Sequence, residues 1–192
     1  MGKEIPMSTA TEKSAALLTA EDYLRLPDDG RRTELRRGVV AYMNPPGFRH
    51  GEVCGNVYHY VDNFVRAQKL GRTLTNDSGI ITERNPDTVR GADVTFYSYQ
   101  RVAKGQSPVG YPGASPEIVF EVVSPTNTRR EIARKTGEYL NAGVNVVCVV
   151  DPQFQTANLH YPDLPDKTLQ GDDLLTFAEL PGFSVAVRRL FE

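Results

Sequence analysis

The sequence predicts an α/β fold, with helices and strands mixed along one chain, and the stretch from Pro116 to Pro152 carries that prediction through two observations. The runs Ile118–Val123 and Val144–Val150 are apolar, rich in β-branched residues and too short for stable lone helices, which is the pattern of buried strands. Between them Thr128 and Glu131 form a capping box and Gly143 supplies a helix stop, so a helix joins the strands. Strands apolar on both faces suit a parallel pair covered on both sides, and a connection of this length permits the crossover such a pair requires.

The earlier elements follow from their punctuation. Thr19 opens a short helix with Asp22 in its capping pattern and Pro27 as its stop, and Tyr23, Leu24 and Leu26 are expected to face the core. Thr33–Met43 reads as a tight hairpin turning at Arg37-Gly38. Val53, Val57, Tyr60, Val61 and Phe64 recur at spacings of three and four, which predicts an amphipathic helix from Arg49 to Gln68, stopped by Gly71. Thr73–Thr82 and Val89–Tyr97 read as strands joined by the turn Arg84–Asp87. The glycines and prolines of Arg101–Ser115 mark an exposed loop. Beyond Pro152, Ala157–Tyr161 and Phe183–Val187 are short strand-like runs.

Composition limits the partners. The chain has 192 residues, 40% of them apolar and 24% charged, enough for the core of one medium domain. Residues 1–17 are expected to form a flexible N-terminal tail and residues 18–192 a single domain. A formal net charge of −2 gives no global attraction to nucleic acid or an anionic membrane, so any polyanion must be met by a local basic face. The only cysteines, Cys54 and Cys148, sit in apolar patterns with no second ligand at metal spacing, as expected of buried thiols in a reducing compartment, and zinc is not expected. No stretch reaches the roughly twenty apolar residues of a membrane span, so a cytoplasmic protein is expected.

One residue breaks the pattern. In Ile118–Val123 the side chains alternate, so Glu121 shares a face with Val119 and Val123 and puts a carboxylate into an apolar row. Such a group needs a partner. Two readings are open: a strand-end glutamate that reaches solvent or pairs with an arginine, and a metal ligand. Asp93 lies similarly in an apolar strand. Lys135 lies three residues after Ile132 and four before Tyr139, so it flanks the apolar stripe of the crossover helix and can turn towards the sheet. The bland alternative is a solvated lysine with a buried stem.

At these residues the sequence resembles the PD-(D/E)xK restriction-endonuclease-like superfamily, and more specifically the Uma-two family within it. The resemblance runs from Leu18 to Phe191 through TAEDYLRLP, TELRRGVV, NPPGFRH, GADV, PEIVFEVVSPTNTRREIARKTGEYLNAGV, VVDP and LPGFSVAVRRLF. It implies a restriction-endonuclease-like fold, a central mixed sheet flanked by helices. It also implies that Asp93 is the motif aspartate, Glu121 the second acid, Lys135 a catalytic lysine moved from the strand onto the following helix, and Glu34 an upstream acid of the site. Two positions depart from the superfamily pattern: Ala92 stands where the motif has proline, and Val123 where the strand has lysine.

The function implied is metal-dependent hydrolysis of phosphodiester bonds in nucleic acid, DNA being favoured, with Mg²⁺ or Mn²⁺ held by Asp93 and Glu121. His50, Arg129 and Arg130 are candidate substrate contacts, with Arg36 and Arg37 on the hairpin as further phosphate partners. A homodimer is expected on chemical grounds, because cutting two strands takes two sites. The alternative is a weakly active or inactive nucleic-acid- or protein-binding module on the same fold.

Overall fold

The computed structural model describes residues 16–192; nearly all of the expected tail, 1–17, lies outside the described residues. Helix α1 (Ala20–Leu24) starts where Thr19 and Asp22 close a reciprocal capping box. Its Ala20 amide donates to Asp87 at 2.7 Å, which ties the helix to the turn after the third strand. Leu24 and Leu26 are exposed, contrary to expectation, and only Ala20 of this helix is buried. A five-residue helix has one turn to bury, and Ala20 uses it.

Strands β1 (Thr33–Arg36) and β2 (Val39–Tyr42) form the expected hairpin. Helix α2 (Phe48–Gln68) buries Val53, Val57, Val61 and Val65, a row repeating every four residues. The helix ends at Lys69 in the left-handed conformation, with φ 55°. Gly71 has a different role from the one expected: a Cβ there would meet the Tyr97 carbonyl oxygen at 2.0 Å, so glycine is needed for the close approach of two strands. These are β3 (Gly71–Glu83) and β4 (Thr88–Ser98), which pair antiparallel along nearly their whole length.

Strand β5 (Ile118–Val122) leads through helix α3 (Arg129–Asn141) to β6 (Val146–Asp151), and β5 and β6 are parallel. The other pairings of the sheet are antiparallel: β7 (Thr156–His160) runs beside β6, and β8 (Lys167–Gln170) beside β7. The result is an eight-stranded mixed sheet in the order β2-β1-β4-β5-β6-β7-β8, with β3 on β4. Of the expected strand Phe183–Val187, only Val185–Ala186 (β10) is extended; it pairs with Leu174–Leu175 (β9), and the chain ends in a 3₁₀ turn at Val187–Phe191.

Each face of the sheet has its own cover. Ile118, Phe120 and Val122 of β5 pack with the valines of α2 and the C-terminal segment. Val119 packs on the other side with Tyr139 of α3, Val147 and Val149. This is the alternation the sequence predicts, and it puts Glu121 on the α3 side.

Strand β4 is where the sheet divides. Since β3 takes one edge of β4, the other edge is shared, with β1 meeting it at Val89 and β5 meeting it from Val94 to Phe96. Arg90 to Asp93 fall in the fork between β1 and β5. The backbone groups there are open to side chains, and the cleft described next lies over them.

Candidate active site

Asp93 is placed by an irregularity. Opposite it, β3 bulges at Asn76 and Asp77, both with positive φ, between the pairs Thr75↔Val94 and Ser78↔Ala92. Asn and Asp tolerate that conformation better than other non-glycine residues. Gly91 is required beside the bulge, because a Cβ there would come within 2.7 Å of the Asp77 side chain. Strict alternation fails at this point: Ala92 packs on the α3 side and Val94 on the α2 side. Asp93 turns towards the end of β5, where Oδ2 accepts from the Val122 amide at 2.7 Å. His50, at the start of α2, places Nε2 at 3.4 Å from the same oxygen.

Glu121, next to last in β5, is 5% exposed, and both of its oxygens are occupied. Tyr139 donates its hydroxyl to Oε1 at 2.7 Å, and Lys135 its ammonium to Oε2 at 2.9 Å. The donors lie four residues apart on α3, on one face of the helix. Both also reach the Gly91 carbonyl, at 3.3 Å each, which the fork leaves available. Burial pushes the Glu121 carboxyl up to about 7; the Lys135 charge opposes this and Asp93 adds to it. For Lys135 burial works against the charge, but Glu121 and Glu34 outweigh it and hold the amine above its ordinary value.

Glu34, on β1, is 4% exposed and surrounded by cations. Arg90 donates to it at 2.6 Å, Arg36 at 2.9 Å, and the Lys135 ammonium is 3.5 Å away. Burial would raise its pKa, but Lys135 and Arg90 outweigh that and hold it below its usual value. Arg90 is itself fully buried and clamps Glu138 of α3 through two further bonds, at 2.5 and 2.9 Å. Glu34 is therefore a counterion that steadies Lys135, and Arg90 fixes Glu34 to the helix that carries Lys135.

These groups border a cleft of about 430 Å³ lined by Glu34, His50, Asp93, Glu121 and Lys135 among others. Its lining holds four cationic side chains (Arg32, Arg36, Arg134, Lys135) against five carboxylates (Glu34, Asp77, Asp93, Glu121, Glu131). A divalent ion would shift that balance towards positive charge. Arg129 and Arg130, expected substrate contacts, are exposed at the start of α3 and are not in the cleft wall. Arg32, Arg36 and Arg134 occupy its rim instead.

Sequence reasoning missed Arg90 and Tyr139. Arg90 had a signal of the same kind as Glu121, a charge inside an apolar strand. Tyr139 was legible only as part of the helix stripe, since nothing in the sequence says that its hydroxyl meets Glu121.

The model of the Uma2 family, described as "Putative restriction endonuclease", matches residues 20–188. No curated protein matches. Among solved structures the chain is similar to "a putative nuclease belonging to DUF820" from Anabaena variabilis, with a TM-score of 0.78 and 16% identity over 91% of this chain and 97% of that one.

Proposed function

Since the chain belongs to the Uma2 family of restriction-endonuclease-like proteins, we propose that it is a metal-dependent endonuclease that hydrolyses phosphodiester bonds of nucleic acid, DNA first. The observation that carries this reading is the meeting of Lys135 with Glu121, 2.9 Å apart, in a cleft that also presents Asp93. The lysine is absent from the strand, where Val123 stands, and a helix side chain takes up its charge at the place the chemistry needs it.

The donor set fits a hard divalent ion. Asp93 and Glu121 are close enough for the Asp93 charge to raise Glu121, and two coupled carboxylates in a desolvated cleft are relieved by Mg²⁺ or Mn²⁺. An ion held there would supply a Lewis acid for a phosphoryl oxygen and a bound water of lowered pKa.

Lys135 does what the chain's own groups can do. Its ammonium, kept protonated by Glu121 and Glu34, stabilises the charge that gathers on the phosphoryl oxygens in the transition state or orients the attacking water. Tyr139, whose phenol is pushed far up by burial and by Glu121, remains a donor and fixes the carboxylate. His50, held protonated to higher pH by Asp93 although burial opposes the charge, contacts the substrate or passes a proton to the leaving oxygen. Arg36 and Arg134 at the rim offer phosphate contacts.

One observation favours the alternative of a binding module: both oxygens of Glu121 already have protein donors, as in a closed structural network. The test is cleavage of supercoiled and single-stranded DNA by the full chain with Mg²⁺, with Mn²⁺ and with a chelator. Nicking or linearisation that requires the ion supports the enzyme. DNA retention without cleavage under any ion supports the module. A homodimer is the form that would cut both strands, and light scattering with and without DNA tests it. Among the described residues no helix is long and apolar enough to cross a membrane.

A further inference from the structure

On the α2 side of Asp93 lies Cys54, a thiol that the proposed reaction does not use, beside His50 and Asp93, which it does. His50 and Cys54 are four residues apart and share one face of α2, and that face is turned to Asp93. One ligand atom from each of His50, Cys54 and Asp93 falls within 4.8 Å of the others. His50 Nε2 is 3.4 Å from Asp93 Oδ2, and Cys54 Sγ is 3.5 Å from His50 Nδ1 and 4.0 Å from Nε2. Around a tetrahedral zinc-class ion, with bonds of about 2.0 Å to nitrogen and oxygen and 2.3 Å to sulfur, neighbouring ligand atoms are about 3.3–3.7 Å apart. His50 Nε2 and Asp93 Oδ2 are already at that spacing, and Cys54 Sγ, 4.0 Å from Nε2, reaches it by a movement of about half an ångström.

We propose that His50, Cys54 and Asp93 form a binding site for a borderline divalent ion of the Zn²⁺ and Co²⁺ class, which shares Asp93 with the two-carboxylate site for a hard ion but differs from it in its nitrogen and sulfur ligands. Imidazole nitrogen and thiolate sulfur select such ions and are poor ligands for Mg²⁺. The side chains of His50 and Asp93 are about nine-tenths buried, so two of the ligands are shielded from competing water. Both line the cleft, which leaves the fourth position open on that side. Arg32, the nearby cation that would repel an ion, is engaged by Asp77.

The proton balance is simple. With the imidazole neutral, the Cys54 thiol donates to Nδ1 and Nε2–H points to Asp93. On binding, the thiol proton is released to solvent, the imidazole proton moves from Nε2 to Nδ1, and the ion bonds to Sγ, Nε2 and Oδ2. The site runs against the expectation of no metal-spaced ligand beside Cys54: His50 stands one helical turn before it, and Asp93 comes from a strand remote in sequence.

The site shares His50 and Asp93 with the proposed reaction, but its test is spectroscopic and needs no substrate. The full chain is titrated with Co²⁺ under anaerobic conditions and its near-ultraviolet and visible absorption recorded. A thiolate-to-cobalt charge-transfer band with intense tetrahedral ligand-field bands is expected in the wild type. The charge-transfer band is lost in Cys54→Ser and kept in Glu121→Gln. In His50→Gln, Co²⁺ affinity falls by at least the roughly ten-fold that loss of even an outer-shell partner costs. Circular dichroism shows whether each variant is folded, and Cys54→Ala serves if the serine variant is not. No charge-transfer band in the wild type, or the same band in either Cys54 variant, overturns the site. Absence of DNA cleavage would leave the spectra, and this inference, unaffected.

Discussion

Replacing Glu121 by glutamine removes the group whose titration the cleft perturbs most directly. Its folded-state pKa is about 7 against an ordinary 4.5, because burial outweighs the attraction of Lys135. Between those values the folded chain holds a proton that the unfolded chain has released, so the stability this group confers is fully present below 4.5 and is lost as pH rises through 7. At about 1.4 kcal/mol per unit, the loss is up to about 3 kcal/mol. For a chain of this size it corresponds to a fall of about 5–10 °C in melting temperature between pH 5 and pH 8. His50, whose folded pKa is also raised, adds a loss of the same sign that begins near its ordinary 6.5, so the comparison must be between proteins. Thermal unfolding in chelator from pH 5 to 8 is the assay. The wild type should lose stability across this window and Glu121→Gln should show only the smaller His50 slope. Equal slopes in the two proteins, or a wild type that gains stability towards pH 8, would refute the assignment of Glu121 as a desolvated carboxylate.

Other perturbations test the supports of the site. Arg90→Met leaves buried Glu34 and partly buried Glu138 without their shared cation, and urea unfolding should show a loss of about 3–5 kcal/mol; Arg134→Ala, at a half-exposed position, should cost less than about 1 kcal/mol. Tyr139→Phe removes the 2.7 Å donor to Glu121, so the pH window of instability should move upward, read from the same melting curves. Gly71→Ala sets a Cβ against the Tyr97 carbonyl and should destabilise by about 1–3 kcal/mol in urea unfolding, whereas Gly137→Ala, with open space around it, should be neutral or stabilising.

Much of this architecture was legible because it rests on short-range rules. The capping box at Thr128 and Glu131 gave α3 its start, the alternation in β5 put Glu121 on the α3 side, and the helix phase turned Lys135 towards it. What was hidden depends on contacts between distant segments. The fork in β4 arises because β1 and β5 share one edge, and no local pattern encodes edge sharing. For the same reason the partners of Glu34 could not be read: Arg90 and Glu138 come from another strand and a helix. Arg129 and Arg130 look like phosphate ligands by charge alone, but the first turn of α3 leaves them exposed while Arg134, one turn on, lines the cleft. Leu24 and Leu26 misled because a helix of one turn has too little buried face to use them.

The central claim is that a lysine borrowed from α3 works with Asp93 and Glu121, and the most direct measurement is single-turnover DNA cleavage in Mn²⁺ by the wild type and Lys135→Ala, with Mn²⁺ affinity measured on the same samples by calorimetry. Charge that acts chiefly in the transition state should be missed in rate and hardly at all in ion binding. Lys135→Ala should cleave about 10²–10³ times more slowly with Mn²⁺ affinity unchanged or slightly higher, and Lys135→Arg should recover only part of the rate because a planar guanidinium cannot take the ammonium's place beside Glu121. Cleavage by Lys135→Ala at the wild-type rate, or cleavage by the wild type that persists in chelator, would contradict the account.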